Sequence, residues 1–230
     1  LSLPELKYLS YMDGRLAYRE KGVGPALFLL HGMNGSSKSW TYLFQSLATS
    51  FRVVAWDAPS FGASNTFGDS IEDYTNAAKA LMNNLELRDV VVVGHSMGGV
   101  VALNLAADQD ALIAGLILSS THLGFGQPKG NPLIPRYANR IERMKSVGVD
   151  IDYGINRAKG MTPQDTSDNV IHFLAEIAMG SRIEGARDGG RMSQETNNAD
   201  ICSQVNIPVL ILSGEKDTVI SNEMHTDLIA

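Results

Sequence analysis

The sequence predicts an α/β fold, in which a mostly parallel sheet is flanked by helices and carries a helical cap. Three observations predict this fold class. Short apolar runs of strand length alternate with amphipathic stretches, the alternation stops between about residues 122 and 200, and one more apolar run follows. Alternating strands and helices build parallel sheets through right-handed crossovers, so a helical interruption after a strand is expected to cover the carboxyl edge of the sheet.

Five apolar runs are the predicted strands of this sheet. Each is rich in β-branched and aliphatic residues, and such continuous runs suit strands that are buried on both faces. They are residues 25–32, 51–57, 89–95, 112–120 and 207–214. Ahead of them, the pair Asp13-Gly14 tolerates positive φ and predicts the turn of an amino-terminal hairpin.

Helical patterns lie between these strands and within the interruption. They cover residues 39–49, 70–87, 98–110, 136–148 and 167–180. Ser70 and Ser167 precede two of them and are the predicted N-caps, because a serine side chain can accept a hydrogen bond from the free N–H groups of the first turn. Gly180 is the predicted residue just past the end of the last helix.

The break in the alternation divides the chain into three predicted parts. Residues 1–121 form the first part of the α/β core, residues 122–188 the helical cap, and residues 189–230 the second part of the core. The apolar side chains of the cap could roof a pocket or pack the cap onto the core, and the sequence leaves both open. They are Ile134, Tyr137, Ile141, Met144, Phe173 and Met179.

Composition and charge exclude several classes of function. The formal net charge is −6 and the lysines and arginines are scattered, which argues against a nucleic-acid or membrane partner. Cys202 is the single cysteine, so no internal disulfide is expected and a cytoplasmic location fits. No two histidines are spaced as a ligand pair, and we expect neither a metal nor an organic cofactor. No apolar run reaches the roughly 18 residues of a membrane span, and the first residues do not resemble a signal peptide.

Residues 94–98, Gly-His-Ser-Met-Gly, fit the pattern G-x-S-x-G. A predicted strand ends at Gly94 and a predicted helix begins just after Ser96, which is the context that the pattern needs to expose a serine at the carboxyl edge of the sheet. Ser96 is therefore the predicted nucleophile. The alternative is a glycine-rich turn with a passive serine. His95 is expected to turn away from Ser96, into the core.

A second glycine-flanked segment, His31 to Gly35, follows the strand predicted at 25–32. A loop at this edge can direct a backbone N–H at the oxyanion that forms beside Ser96. The expected donors are the N–H groups of Met33 and Met97. His31 closes a buried strand, so we expect it to bond the loop backbone rather than to act as a base.

Asp217 lies a few residues past the last predicted strand, in Ser213-Gly-Glu-Lys-Asp217. An acid at this edge can orient an imidazole and stabilise its charged form, which predicts Asp217 as the acid of a catalytic triad. A solvated loop carboxylate is the alternative. Glu215 and Lys216 are expected to be solvated.

Four segments occur in one order: HGMNG at 31–35, DAPSFGAS at 57–64, GHSMGG at 94–99 and SGEKD at 213–217. In this order the chain resembles the α/β-hydrolase superfamily, and within it small bacterial-type esterases and enol-lactonases with helical caps. The resemblance implies an α/β-hydrolase fold and a cap that sets substrate choice. It also implies that Asp57 is structural, and that Ser60 replaces a glycine that is usual in that loop.

The resemblance places the histidine base 25 to 30 residues beyond the acid, after one further strand. The sequence continues for 13 residues past Asp217. We therefore expect the catalytic histidine, with the last strand and helix, beyond Ala230. His225 is expected on a helix surface and His172 within the cap helix. His122 directly follows a predicted strand and could line the pocket.

The function that these features favour is hydrolysis of a small carboxylic ester or lactone through an acyl-enzyme on Ser96. A C–C bond hydrolase or a perhydrolase on the same fold ranks second. A catalytically idle relative that binds a small apolar ligand is the third interpretation. The sequence leaves the physiological substrate and the oligomeric state open.

Overall fold

The computed structural model describes residues 2–108, 112–221, 224 and 228. Within this part of the chain, seven strands form one sheet in the order β1-β2-β4-β3-β5-β6-β7. The first three in that order are antiparallel neighbours and all other pairs are parallel, as the sequence predicts. The strands are β1 Leu6–Tyr11, β2 Gly14–Lys21, β3 Ala26–Leu30, β4 Arg52–Trp56, β5 Val90–His95, β6 Ile113–Ser119 and β7 Val209–Leu212.

Seven α-helices occur in the described residues, and four of them lie between β6 and β7 in the chain. They are α1 Thr41–Leu47, α2 Ile71–Asn84, α3 Met97–Ala107, α4 Pro135–Val147, α5 Ile151–Lys159, α6 Asp168–Ala178 and α7 Ile183–Glu195. Ser70 caps α2 as predicted: its side chain accepts from the N–H of Asp73, whose own side chain bonds back to Ser70. None of the described helices is both long and apolar enough to cross a membrane.

The core lies on both faces of the sheet, which explains the unbroken apolar runs. Along β5, Val90 and Val92 pack with α2 and α3, whereas Val91 and Val93 face the opposite layer around Trp40. A strand that is covered on both faces needs no polar side chain. The run of four valines therefore passes through the centre of the molecule.

One prediction about the strands is wrong. The hairpin turn consists of Met12 and Asp13, because Gly14 already pairs with Tyr11. The prediction that the last strand is buried on both faces stays a prediction, because β7 is the edge strand of the described sheet and pairs there with β6 alone. Its side chains Val209, Leu210 and Leu212 are 43%, 52% and 48% exposed.

The helices α4 to α7 lie between β6 and β7 in the chain, where the sequence predicts the cap. The boundary predicted at residue 188 falls inside α7, and the packing of that helix shows why a boundary is hard to draw there. A Cβ on Gly189 would lie 2.9 Å from the ring of Phe61 in the core, and one on Gly190 would lie 2.8 Å from the ring of Tyr137 on α4. Helix α7 is thus held between the core and α4.

Candidate active site

Ser96 occupies a sharp turn between β5 and α3. Its backbone angles are φ 51° and ψ −120°, a conformation that residues with a side chain rarely adopt. Its N–H donates to the carbonyl of Ser119 (3.0 Å), and its carbonyl accepts from the hydroxyl of Thr121 (2.6 Å). Such strain costs about 1–3 kcal/mol and persists only where the surroundings impose it. Here the hydrogen bonds from β6 and from the segment after β6 hold Ser96 in this strained conformation.

The glycines around Ser96 are needed for steric reasons, as the sequence predicts. A Cβ on Gly94 would lie 2.6 Å from the Cα of Gly99, so the strand and the helix could not meet. A Cβ on Gly98 would lie 2.8 Å from the carbonyl oxygen of His31. The first turn of α3 therefore reaches the end of β3 only because these positions lack side chains.

The loop that follows β3 lies directly against the serine. A Cβ on Gly32 would be 3.2 Å from the Cβ of Ser96, so the next residue, Met33, is beside the nucleophile candidate. Met97 is the first residue of α3, and the N–H of a first helical residue has no carbonyl partner within its helix. Both methionines line the same cavity as Ser96.

Asp217 lies in the turn after β7 and lines the same cavity. Its Oδ1 accepts from the N–H groups of Val219 (2.8 Å) and Ile220 (3.0 Å), and its own N–H donates to the carbonyl of Gly214 (3.0 Å). These bonds fix the direction of the half-buried carboxylate. Glu215 is exposed, as predicted.

The cavity has a volume of about 520 Å³ and is bounded by the core below and the helices of the cap above. Of the six apolar cap residues named above, Tyr137 lines it. Ile141 and Met144 instead pack within the cap, and Phe173 packs edge-on against Tyr42 of α1. The other side chains of the roof are Arg136, Arg140, Arg157, Met161, Pro163, Leu174, Ile177 and Ala178.

Comparison with known proteins gives the family. A model described as "Alpha/beta hydrolase family" matches residues 27–228. The chain belongs to the alpha/beta hydrolase family.

Among curated relatives, this chain is 35% identical over 119 residues to an uncharacterised protein of Mycobacterium tuberculosis, a match that covers 51% of this chain and 35% of the relative. It is 27% identical to a bifunctional esterase/perhydrolase of Acinetobacter calcoaceticus, over 94% of this chain and 84% of that protein. The structure of an enol-lactonase from Burkholderia xenovorans LB400 superposes with a TM-score of 0.83 at 20% identity, over 96% of this chain and 85% of that one.

His31 bonds the loop backbone, as predicted. Its Nδ1 donates to the carbonyl of Gly32 (2.8 Å) and its Nε2 accepts from the N–H of Ala58 (3.0 Å). Burial lowers its pKa, so the neutral ring is favoured. Asp57 has the structural position that the family resemblance implies: its two oxygens accept from the N–H groups of Ser37 and Ala63.

His122 lines the cavity, as predicted. The ring is 4% exposed, stacks near Phe125, and accepts the N–H of Gly124 at Nδ1 (3.0 Å). Burial, and then the charge of Arg136, lowers the pKa of His122 to about 4. The ring is therefore neutral near pH 7.

This lowered pKa predicts a loss of stability in mild acid. Between pH 7 and 5 the unfolded chain binds a proton at His122, near its ordinary pKa of 6.5, whereas the folded chain does not. This should lower the free energy of unfolding by about 2 kcal/mol. Urea unfolding of His122→Asn should lose about 2 kcal/mol less over this range than the wild type. The exposed His172→Asn is the control, and an equal loss in His122→Asn would contradict the prediction.

The prediction for His95 is wrong, because its side chain does not turn into the core. Its side chain is exposed and lines the cavity beside Ser96, with Nδ1 near the carbonyl of Ser119 (3.2 Å). The cause is that β5 ends at His95, and its final side chain passes beyond the layer that covers Val93. His172 is exposed on α6 and donates to the carbonyl of Asp168. His225 lies outside the described residues, so its prediction stays a prediction.

The sequence did not indicate two contacts that hold the site together. Thr121, which is fully buried, holds the carbonyl of Ser96. Ser60, at φ 69°, donates to the buried carboxylate of Asp188 on α7 (2.6 Å), which also pairs with Arg187. The replacement of the usual glycine by Ser60 is the signal that could have indicated this second contact.

No group of three or more histidine, cysteine or acidic residues in the described ranges could hold a metal ion. The polar side chains that line the cavity of Ser96 carry hydroxyls, imidazoles, guanidinium groups, one amide, one amine and one carboxylate. This set can stabilise charge and move protons.

Proposed function

We propose that this chain is a serine hydrolase that cleaves a small carboxylic ester or lactone. Ser96 Oγ attacks the carbonyl carbon, and the N–H groups of Met33 and Met97 stabilise the oxyanion. Collapse expels the alcohol and leaves an acyl-enzyme, which water then hydrolyses. The observation that carries the proposal is the strained turn of Ser96, with the loop of Met33 against it and Asp217 in the same cavity.

A histidine must take the proton of Ser96 and pass it to the leaving alcohol. Among the described residues, no hydrogen bond joins a histidine to the hydroxyl of Ser96, and His31 and His122 use ring nitrogens on backbone groups. We place the base in a histidine outside the described residues. Asp217, whose direction is fixed by two N–H groups, would orient that ring.

The substrate class follows from the size and cover of the cavity. A volume of about 520 Å³ suits a small molecule rather than a polymer. The cap, predicted at residues 122–188, contributes most of the roof and would set substrate choice. The names of an esterase/perhydrolase among the relatives and of an enol-lactonase among the structural neighbours support an ester or a lactone.

Perhydrolysis is the second candidate activity, because one relative is named as an esterase/perhydrolase. Perhydrolysis uses the same acyl-enzyme, and hydrogen peroxide replaces water as the acceptor. Comparing peracid with acid release from one ester, with and without peroxide, would separate the two activities. A binding protein without catalysis would form no acyl-enzyme at all.

The proposal is tested by covalent labelling of the full-length protein with a fluorophosphonate. The hydroxyl of Ser96 should displace fluoride, forming a serine–phosphorus ester that mass spectrometry locates on the peptide containing residue 96. Ser120→Ala, which changes another serine of the cavity, should label like the wild type, whereas Ser96→Ala should not label. Absence of label on Ser96 in a folded protein would contradict the proposal.

A further inference from the structure

The roof of the Ser96 cavity contains a cluster of arginines. Arg136 and Arg140 lie one turn apart on α4, and Arg157 lies on α5. All three line the cavity of Ser96, and all three also line a smaller cavity of about 220 Å³. The cluster therefore stands where the two cavities meet.

The hydrogen-bond donors of this cluster lack acceptors among the described residues. Nε and Nη1 of Arg140, Nε of Arg157 and the hydroxyl of Tyr153 are buried without a hydrogen-bond partner. No carboxylate of the described chain forms an ion pair with these arginines. Arg136 differs, because it donates to the carbonyl of Val219 at the mouth of the cavity (3.0 Å).

Two other partly buried arginines of the fold are paired with carboxylates. Arg52 bonds the carboxylate of Glu20 (2.7 Å), and Arg191 bonds that of Glu195 (2.9 Å). Guanidinium atoms that are removed from water need such partners, because an uncompensated charge destabilises the fold. Two nitrogens of Arg140 and one of Arg157 have no such partner among the described residues.

The cluster also repels itself. Arg136 and Arg140 are four residues apart on one helix, a spacing at which like charges destabilise the helix. Burial, and then the charge of Arg157, lowers the pKa of Arg140 to about 10. Arg140 therefore remains charged near pH 7, and an entering anion would relieve both the lost hydration and the repulsion.

We infer that Arg140, Arg157 and Tyr153 form a subsite for a carboxylate that the substrate carries away from its scissile bond. The inference rests on the proposed function, since the subsite would hold a substrate of Ser96. Every unpartnered atom here is a donor, and a carboxylate is an acceptor on both oxygens. The planar guanidinium fork matches carboxylate geometry.

The lining of the roof narrows the substrate class further. Beside the arginines it is apolar, with Met161, Leu174, Ile177 and Ala178. An apolar chain therefore suits the space between the reacting carbonyl and the carboxylate. The preferred substrate is an ester or lactone whose acyl part ends in a carboxylate, such as a half-ester of a dicarboxylic acid.

The test compares two esters of equal length with the full-length protein. Mono-p-nitrophenyl adipate carries the carboxylate, and p-nitrophenyl hexanoate carries a methyl group in its place. The wild type should prefer the adipate ester by at least about tenfold in kcat/KM, the usual effect of a charge-assisted hydrogen bond. Arg140→Gln and Arg157→Gln should abolish this preference by raising the KM for the adipate ester.

Lys159→Gln is the matched control, because Lys159 is an exposed cation on α5 that lines neither cavity. It should keep the preference. A preference that is absent in the wild type, kept in both arginine variants, or lost equally in Lys159→Gln would overturn the inference.

A binding measurement separates this inference from the proposed function. Potassium adipate should raise the Tm of the wild type more than potassium chloride of equal ionic strength, and it should not do so for Arg140→Gln. This result requires no catalysis. If neither ester is cleaved but adipate stabilises the wild type alone, the proposed function fails and the anion subsite stands. If esters are cleaved and adipate has no such effect, the subsite fails and the hydrolase stands.

Discussion

Replacing Ser96 by alanine is expected to lower kcat for a short p-nitrophenyl ester by about 10⁴- to 10⁶-fold. The loss is this large because the hydroxyl forms the covalent intermediate, and the N–H groups of Met33 and Met97 alone supply only residual rate enhancement. Alanine fits the same backbone, since it has a Cβ like serine and meets the same strain at φ 51°. The fold and the KM should therefore change little.

Ser120→Ala is the control for this measurement, because Ser120 lines the same cavity and also has positive φ. Its activity should stay within a few-fold of the wild type. Turnover by Ser96→Ala that is close to the wild-type rate would show that another group attacks the ester, and the assignment of Ser96 would then be wrong.

Replacing Asp217 by asparagine is expected to lower kcat by about 10³- to 10⁴-fold with little change in KM. Asparagine keeps an oxygen that can accept from Val219 and Ile220, so the turn after β7 should survive. It loses the negative charge that would stabilise the imidazolium formed when the base takes the proton of Ser96. The steady-state rate of the full-length protein measures this difference.

Glu215→Gln provides the matched control, since Glu215 is an exposed carboxylate two residues away in the same segment. It should behave as the wild type. If Asp217→Asn and Glu215→Gln give the same small effect, Asp217 is a loop carboxylate, which is the alternative that the sequence left open.

The layers of the fold could be predicted because strands that are buried on both faces have continuous apolar sequences. The valines of β5 and the aliphatic run of β3 have no polar alternation, and both strands lie inside the sheet. The same logic stays a prediction for β7, whose composition is equally apolar and which is the edge of the described sheet, because a further strand is expected beyond Ala230. The apolar content of a strand shows how much apolar surface it can bury, whereas the elements packed against it decide how much of that surface is buried.

The candidate site could be predicted where chemistry depends on local spacing. The turn at Ser96 and the glycines around it are set by residues adjacent in sequence. The arginine cluster joins two helices, so no single segment shows it. One sequence signal could have indicated the cluster. Arg140 lies on the same helical face as Tyr137, Ile141 and Met144, which are buried. A cation on an apolar stripe indicates a charge that is held out of water.

The two sides of the roof are fastened differently. Helix α7 is locked to the core by the buried hydrogen bond between Ser60 and Asp188. Helix α6 meets the core through the edge-on contact of Phe173 with Tyr42, which is itself 52% exposed. Separating α6 from the core would therefore expose less buried polar surface than separating α7. Substitutions at the contact of Phe173 with Tyr42 should affect the rates of substrate entry and product release more than the chemical step.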